Sequence, residues 1–82
     1  MKRIVFSDQA KADIRAIPQH IAMNILTAIQ RLAETGAGRV KTLQGQEGEK
    51  RLRVGDYRVR FNEEPPGTIL VHSVLHRSEA YR

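Results

Sequence analysis

The first half of the chain carries its apolar residues at helical spacing, after a short apolar segment at residues 2–6. That segment ends at Ser7 and predicts a short first strand. Ser7 is an effective helix N-cap, and an apolar helical stripe follows it. Proline is tolerated in the first turn of a helix but not in its interior, so one helix is predicted to end near Ile17 and another to begin near Pro18. The second stripe ends at Gly36, which predicts a helical hairpin.

The second half of the chain alternates apolar and polar residues with the period of two that strands require. Strands are predicted at residues 39–44, 49–54, 57–62 and 68–75. The link Gly55-Asp56 predicts a two-residue hairpin, and glycine in its first position suits a type II′ turn. The last of these segments is β-branched and apolar, which is typical of a central strand. From His76 onward the sequence predicts a polar tail.

These elements predict one α+β domain over residues 1–82. Its order is an N-terminal strand, a helical hairpin and a four-stranded antiparallel meander, with both helices packed on one face of the sheet. No apolar run approaches the roughly 18–20 residues of a membrane span, and the N-terminus does not resemble a signal peptide. A cytoplasmic protein without membrane contact is therefore expected.

The composition narrows the possible chemistry. The chain has 14 basic and 9 acidic residues, a net charge of +5, and 10 of the 14 basic residues are arginine. Arginine forms bidentate contacts with phosphate and carboxylate, so a polyanion or an acidic protein is the expected partner. The absence of cysteine excludes disulfides and thiol nucleophiles. The three histidines form no metal-binding pair, so neither a metal nor a cofactor is expected.

Most of the excess charge lies in the predicted hairpin. Residues 50–60 hold five bases and one acid, which is +4 of the total +5. Strand alternation places the apolar residues of the hairpin toward the helices and four arginines on the opposite face: Arg51, Arg53, Arg58 and Arg60. Such a face is either a solvated surface or a platform that binds phosphates. Repulsion between like charges across the ladder favours the platform.

The C-terminal residues form a second cluster. A last strand beside the hairpin is expected to bring Arg77 near Arg58. Nearby arginines would lower the pKa of Tyr81 and let it transfer protons, and His76 is a candidate acid or base at neutral pH. The alternatives are an aromatic side chain packed on the sheet edge for Tyr81 and an exposed strand end for His76. His72 is expected to be a packed or hydrogen-bonded residue of the core.

These residue types suit one reaction. The sequence contains no Gly-rich phosphate loop, Ser-His-Asp arrangement or paired-carboxylate motif. Arginine, lysine, tyrosine and histidine together suit the attack of an RNA 2′-OH on its neighbouring phosphate. The substrate supplies the nucleophile, so the protein has only to orient it, move protons and stabilise the developing charge, which arginines do without a metal.

Two motifs resemble the RelE/ParE superfamily of toxins from bacterial and archaeal toxin–antitoxin modules, most of all its RelE branch. They are R-x-G-D-Y-R at residues 53–58 and H-R-x-x-x-Y-R at residues 76–82, and the resemblance covers nearly the whole chain. It implies a metal-independent endoribonuclease that enters the ribosomal A site and cuts the mRNA codon there. It also implies a cognate antitoxin, with operator DNA bound only by the toxin–antitoxin complex.

The resemblance assigns roles to individual residues. Arg58 matches the hairpin arginine that holds the scissile phosphate, Arg77 matches the arginine after the last strand, and Tyr81 resembles the terminal tyrosine. Arg51 stands where the family often has a lysine that helps in proton transfer, and His76 shares the acid–base work, as in relatives that use histidine. Contacts with RNA are further expected from Lys41, Lys50, Arg53, Arg60 and Arg82.

Two departures from the family pattern and two other functions bear on this hypothesis. Arg51 is a poor base, because a guanidinium is not deprotonated in proteins, and Glu49 stands at a second lysine position, where it would repel phosphate. Lys50 could substitute for that lysine, but alternation points it toward the opposite face. A ParE-like inhibitor of DNA gyrase would have the same fold and no catalytic set. A basic binding module or an inactive toxin is the third alternative.

Overall fold

The computed structural model of the chain describes residues 1–42 and 48–80. The elements follow in the order β1 (Arg3–Phe6), α1 (Asp8–Arg15), α2 (Gln19–Thr35), β2 (Arg39–Thr42), β3 (Glu49–Val54), β4 (Tyr57–Asn62), β5 (Thr68–His76) and α3 (Arg77–Ala80). No helix in these ranges is long and apolar enough to cross a membrane.

The five strands form one sheet in the order β1-β5-β4-β3-β2. The segment from β2 to β5 is the predicted antiparallel meander, whereas β1 pairs in parallel with β5. The N-terminal strand therefore lies at one edge of the sheet, and β2 lies at the other. The predicted α+β fold class is confirmed.

Local signals in the sequence account for the helix ends. The side chain of Ser7 caps α1 by accepting a hydrogen bond from the N–H of Ala10 at 3.1 Å. Pro18 is the N-cap of α2, as its interruption of the apolar stripe indicated. Gly36 ends α2 with a φ of 75°, and its N–H donates to the carbonyl oxygen of Leu32 at 2.9 Å.

The core lies between the two long helices and one face of the sheet. Ile25 and Ile29 of α2 are buried with Leu52, Val59 and Phe61 of the hairpin. Leu52 pairs directly with Val59, and Gly55, with a φ of 57°, is in the first position of the hairpin turn. No described non-glycine residue has a positive φ, so the turn has the type II′ pattern that the sequence predicted. The four hairpin arginines consequently face away from the helices.

The chain departs from the sequence prediction at two strand ends. The predicted strand at residues 39–44 is described as far as Thr42, and residues 43–47 lie outside the described ranges. The last strand extends to His76, and a four-residue helix follows where a polar tail was predicted. The N–H of Ser78 donates to Nδ1 of His76 at 3.3 Å, and that of Arg77 donates to the carbonyl oxygen of Asp56 at 2.7 Å. These contacts satisfy N–H groups of the first helical residues, which have no partner within the helix.

A β-bulge in β5 changes which residues face the helices. Arg60 pairs with Ser73 and Phe61 pairs with Val71, so His72 is an extra residue in β5. Before the bulge the odd-numbered residues of β5 face the helices, and after it the even-numbered ones do. The bulge therefore moves residues 73 and 75 to the face opposite the helices.

The first helix holds this bulge in place. The Ser7 hydroxyl donates to the carbonyl oxygen of His72 at 2.8 Å. The Asp13 carboxylate accepts a hydrogen bond from the N–H of Val74 at 2.9 Å. β1 ends at Phe6, which pairs with Val71. These two side chains therefore make the hydrogen bonds to the later part of β5 that a longer neighbouring strand would make.

Candidate functional site

Six cations lie in two rows on the face of the sheet opposite the helices. Strand register aligns Arg39, Arg53 and Arg58 in one row, across β2, β3 and β4. It aligns Lys41, Arg51 and Arg60 in the next row. Neighbouring strands are about 4.8 Å apart, and the two rows are separated by about 6.6 Å along the strands. We call these six residues the arginine face.

A cavity of about 340 Å³ opens on the arginine face. Its lining consists of Arg39, Val40, Lys41, Arg51, Arg53 and Arg58. Five of these six residues are cationic, and no carboxylate of the described part of the chain contributes to the lining. The clustered positive charge attracts phosphate and concentrates an anionic substrate at the cavity.

Arg58 is held rigidly at the end of the hairpin. Only 6% of the residue is exposed. Its Nη1 donates to the carbonyl oxygens of Gly55 and Tyr57, both at 3.0 Å. Because the turn carbonyls fix the guanidinium, it is already oriented when a ligand enters the cavity.

Glu49 is the only acidic residue in the five strands, and it lies on the same face as the arginines. Its Oε1 is 2.6 Å from Nη2 and 2.7 Å from Nε of Arg60. The side chain of Glu49 is only 12% exposed. The sequence indicated only that this carboxylate would repel phosphate, whereas the structure pairs it with a neighbouring cation. Alternation indicated that Glu49 shares the face of Arg51, but the register that brings it to Arg60 belongs to the pairing of β3 with β4.

Lys50 lies on the other side of the sheet. It is in register with Phe61, and its Nζ is 3.6 Å from Oε1 of Glu63. Nζ of Lys2 is 2.8 Å from Oε2 of the same carboxylate. The hydrogen bond from Lys2 and the charges of both lysines lower the pKa of Glu63, and burial opposes them only in part. The structure therefore does not bring Lys50 to the arginine face, where an RNA contact was predicted.

The C-terminal candidates divide between the two faces. His76 is in register with Tyr57, and their rings meet edge to face with centroids 5.4 Å apart. This places His76 on the helix side, with its Nδ1 3.0 Å from the Ser78 hydroxyl. Arg77 is exposed and bonded through its backbone to the hairpin turn, beside the carbonyl groups that hold Arg58. Tyr81 and Arg82, the remaining predicted site residues, lie outside the described residues.

His72 has a structural contact of the kind that the sequence predicted. Its Nε2 is 2.7 Å from Oδ1 of Asn62, and the residue is half-buried in the bulge. No cluster of three or more histidine, aspartate or glutamate side chains that could hold a metal ion occurs within the described ranges. The chemistry of the described site rests on guanidinium, ammonium and one carboxylate group.

Comparison with known proteins places the chain in a family. A family model described as the ParE toxin of type II toxin–antitoxin systems, parDE, matches residues 4–81. No curated protein sequence matches the chain. The RelB–RelE antitoxin–toxin complex from Methanococcus jannaschii contains a similar chain, with 26% identity, a TM-score of 0.78 and 94% of each chain covered.

Two further structures share the fold at lower sequence identity. The isolated RelE toxin of E. coli is 16% identical with a TM-score of 0.75, and 99% of this chain and 96% of that one are covered. YafQ from E. coli is 15% identical with a TM-score of 0.71 and complete coverage of both chains, 100% each. Because the ParE model spans all but four residues of the chain and the architecture is that of RelE, this protein belongs to the ParE toxin family, within the RelE/ParE superfamily of type II toxin–antitoxin systems.

Proposed function

We propose that this toxin is an endoribonuclease that cuts mRNA in the ribosomal A site and so inhibits translation. The reaction is attack of a ribose 2′-OH on the adjacent phosphate. The observation that carries the proposal is the cavity of about 340 Å³ on the arginine face. Five cations line it, and the rigid, buried Arg58 is one of them. The ribosome and the mRNA supply the remaining walls of the site, so a chain of 82 residues is large enough.

The arginines stabilise the charge that develops on the phosphate. Arg58 is oriented by the turn before substrate binds, so little reorganisation is needed when the phosphorane forms. Arg51 and Arg53 line the same cavity, and Arg77 is anchored at the same end of the hairpin. Loss of one such donor is expected to reduce the rate about 10²–10³-fold.

Glu49 is our candidate for the group that accepts the proton of the 2′-OH. An arginine is not deprotonated in a protein, so Arg51 contributes charge and position but does not act as a base. His76 is on the helix side of the sheet and directs Nδ1 to Ser78. Glu49 is a carboxylate on the arginine face itself, held by Arg60 at the end of the second row. Tyr81, for which the sequence predicted proton transfer, is then our candidate donor to the leaving oxygen.

We further propose that a cognate antitoxin neutralises this toxin and that operator DNA is bound only by the pair. The similar RelE chain of Methanococcus jannaschii was crystallised as a complex with RelB. The dense positive charge of the arginine face makes it a suitable docking site for an acidic or amphipathic segment of such a partner. Inhibition would then follow from direct cover of the site.

A second candidate function is inhibition of DNA gyrase without catalysis. The description of the matching family model, a ParE toxin of the parDE system, favours it. Such an inhibitor needs a binding surface but no proton acceptor and no rigidly oriented phosphate ligand. The Glu49–Arg60 pair and the buried Arg58 support the endonuclease as the better explanation.

The decisive experiment is in vitro translation followed by primer extension on the mRNA. Purified protein is expected to arrest translation and to leave new 5′ ends inside A-site codons. Arg58→Ala should reduce cutting about 10²–10³-fold. Arg15→Ala is the control, because Arg15 is exposed at the end of α1 and distant in the fold from the arginine face. Intact mRNA together with gyrase-dependent DNA breaks would replace this proposal with the second candidate.

A further inference from the structure

A second basic cavity lies around the free edge of the sheet, on the side of α2. Its volume is about 420 Å³. Arg31 of α2, Arg39 of β2 and Arg53 of β3 contribute positive charge to its lining, whereas Asp56 is the one acidic residue among the described residues that line it. Ala28 and Leu52 form part of its floor. This edge cavity is therefore a shallow site with a net positive charge.

The edge cavity and the cavity of the arginine face share two residues. Arg39 and Arg53 line both of them. The two cavities meet around β2, an edge strand of four residues that are all exposed. Arg39 and Arg53 consequently contribute positive charge to both cavities.

Gly38 lets the chain pass close to Leu52 where it enters β2. A Cβ atom at this position would lie 2.8 Å from Cδ1 of Leu52, closer than a real Cβ approaches another atom. Its φ of 154° is also one that residues with side chains rarely adopt. The chain can therefore enter β2 in close contact with Leu52 because residue 38 has no side chain.

We propose that the edge cavity is a second RNA subsite, which binds a backbone phosphate of a nucleotide flanking the cleaved one. The inference rests on the proposed function, because RNA is then the polyanion bound at the arginine face. An RNA strand that leaves that face past Arg39 and Arg53 meets Arg31 next. Guanidinium groups bind phosphate oxygens in a bidentate manner, so the path offers successive phosphate ligands.

An acidic protein segment is the other occupant that the charge and the apolar floor would accept. Continuity favours RNA, because two of the three cations in the edge cavity also line the proposed cleavage site. The phosphates of RNA repeat regularly along the strand, so one RNA can contact the cations of both cavities at the same time. A protein segment confined to the edge cavity would leave the shared arginines only partly engaged.

The test compares the binding of short and long RNA. Full-length protein is titrated into a fluorescently labelled trinucleotide or nonanucleotide at several salt concentrations. The trinucleotide, and the same three nucleotides at the centre of the nonanucleotide, carry 2′-deoxyribose to prevent cleavage. Wild-type protein is expected to bind the nonanucleotide more tightly. Arg31→Ala should remove most of that gain, with about a 5-fold loss or more at low salt. The slope of log K against log salt should become shallower by about 0.7 for each phosphate that the variant no longer neutralises.

The matched control is Arg15→Ala, an exposed arginine that lines neither cavity, and its binding should equal that of wild type. Equal binding of the two RNA lengths by wild type, or no binding of either, would overturn the inference. An Arg31→Ala variant that binds the nonanucleotide as tightly as the control does would also overturn it. A titration with an acidic peptide tests the other occupant: loss of affinity for the peptide but not for the nonanucleotide would contradict the RNA subsite. Cleavage by wild type without any effect of Arg31 would refute the subsite alone, whereas length-dependent binding without mRNA cutting in translation would refute the proposed function alone.

Discussion

Single residues of the site derive their roles from what surrounds them. Arg58 is a buried cation whose guanidinium is anchored to the carbonyl oxygens of its own turn. Glu49 is a carboxylate beside the six cations of the arginine face, where it is paired with Arg60. Lys50, next to Glu49 in the sequence, points to the opposite side and binds Glu63. Two adjacent residues of one strand thus have unrelated roles, because alternation assigns them to different faces.

Replacement of Glu49 by glutamine tests its role as a proton acceptor. Glu49→Gln retains the size and a hydrogen-bond acceptor for Arg60 but cannot take up a proton at neutral pH. We expect the cleavage rate to fall about 10²–10⁴-fold, with mRNA binding retained because a negative charge has been removed. Single-turnover cleavage of ribosome-bound mRNA would measure this. Glu63→Gln, on the helix side, is the matched control, and a Glu49→Gln variant with the wild-type rate would disprove the role.

Glu63 predicts a pH dependence of stability. The hydrogen bond from Lys2 holds the pKa of Glu63 below its ordinary value in the folded protein. The charged form is therefore favoured by folding, and its contribution is fully present above the ordinary carboxyl pKa. That contribution is lost as the pH falls through the lowered pKa, because the carboxyl is then protonated in both states.

Thermal melting over acidic and neutral pH would show this effect. Glu63→Gln should melt at a lower temperature than wild type near neutral pH, and the difference should shrink as the pH is lowered. Glu79→Gln, in the exposed part of α3, provides the comparison for loss of a negative charge without this ion pair. A Glu63→Gln deficit of constant size at every pH would contradict the assignment.

At the scale of elements, the β-bulge in β5 is the feature on which the C-terminal part of the site depends. The bulge shifts the face of every later residue in β5, so His76 reaches the end of the strand on the helix side, opposite Tyr57. Helix α1 maintains it through Ser7 and Asp13, since β1 is too short to pair with this part of β5. A helix on one side of the sheet thereby influences the site on the other.

Asp13 provides a test of this support. Asp13→Ala would leave the N–H of the buried Val74 without its acceptor, which is expected to cost about 1–3 kcal/mol in the free energy of unfolding. Asp13→Asn retains an acceptor oxygen and should recover most of the loss. Urea denaturation would measure both. Gln9→Ala is the control, because Gln9 contacts the other carboxylate oxygen at the exposed surface, and equal stability of Asp13→Ala and this control would contradict the proposed support.

At the scale of the whole molecule, the sheet separates two functions. One face is covered by α1 and α2 and provides the hydrophobic core. On β2, β3 and β4 the other face carries mostly charged residues, and six of them are cations. Positive charge in this concentration raises the affinity for any polyanion, so an acidic partner that covers it is expected to inhibit the toxin.

Complex formation with an antitoxin is the corresponding prediction. Co-expression with the product of the adjacent gene should restore growth and yield a complex that co-purifies with the toxin. The association rate should fall steeply with salt, because the arginine face attracts an acidic segment over a distance set by screening. Replacing both Arg39 and Lys41 with alanine should weaken this salt dependence. Lys11→Ala should leave it unchanged, because Lys11 is an exposed residue of α1, away from the arginine face. Failure to recover any complex would argue against the antitoxin proposal.

Local patterns in the sequence were sufficient to predict the helices, the hairpin and the position of its four arginines on one face. Capping by Ser7 and Gly36, the type II′ turn at Gly55 and the period of two in strands each involve only a few consecutive residues. The RelE/ParE resemblance followed from the same contiguous segments, and the family match confirms it. The roles of Arg58 and Arg77 in catalysis stay predictions, because the structure supplies their positions and not their chemistry.

The tertiary structure decided everything that depends on contacts between distant segments. It paired β1 in parallel with β5, added Arg39 and Lys41 to the arginine face, and joined Glu49 to Arg60. It also placed His76 on the helix side through a bulge that no pattern in the sequence predicted. The physical reason is that alternation specifies only relative faces within one strand. Register between strands and the extra residue in β5 are set by packing and hydrogen bonds with parts of the chain that are remote in sequence.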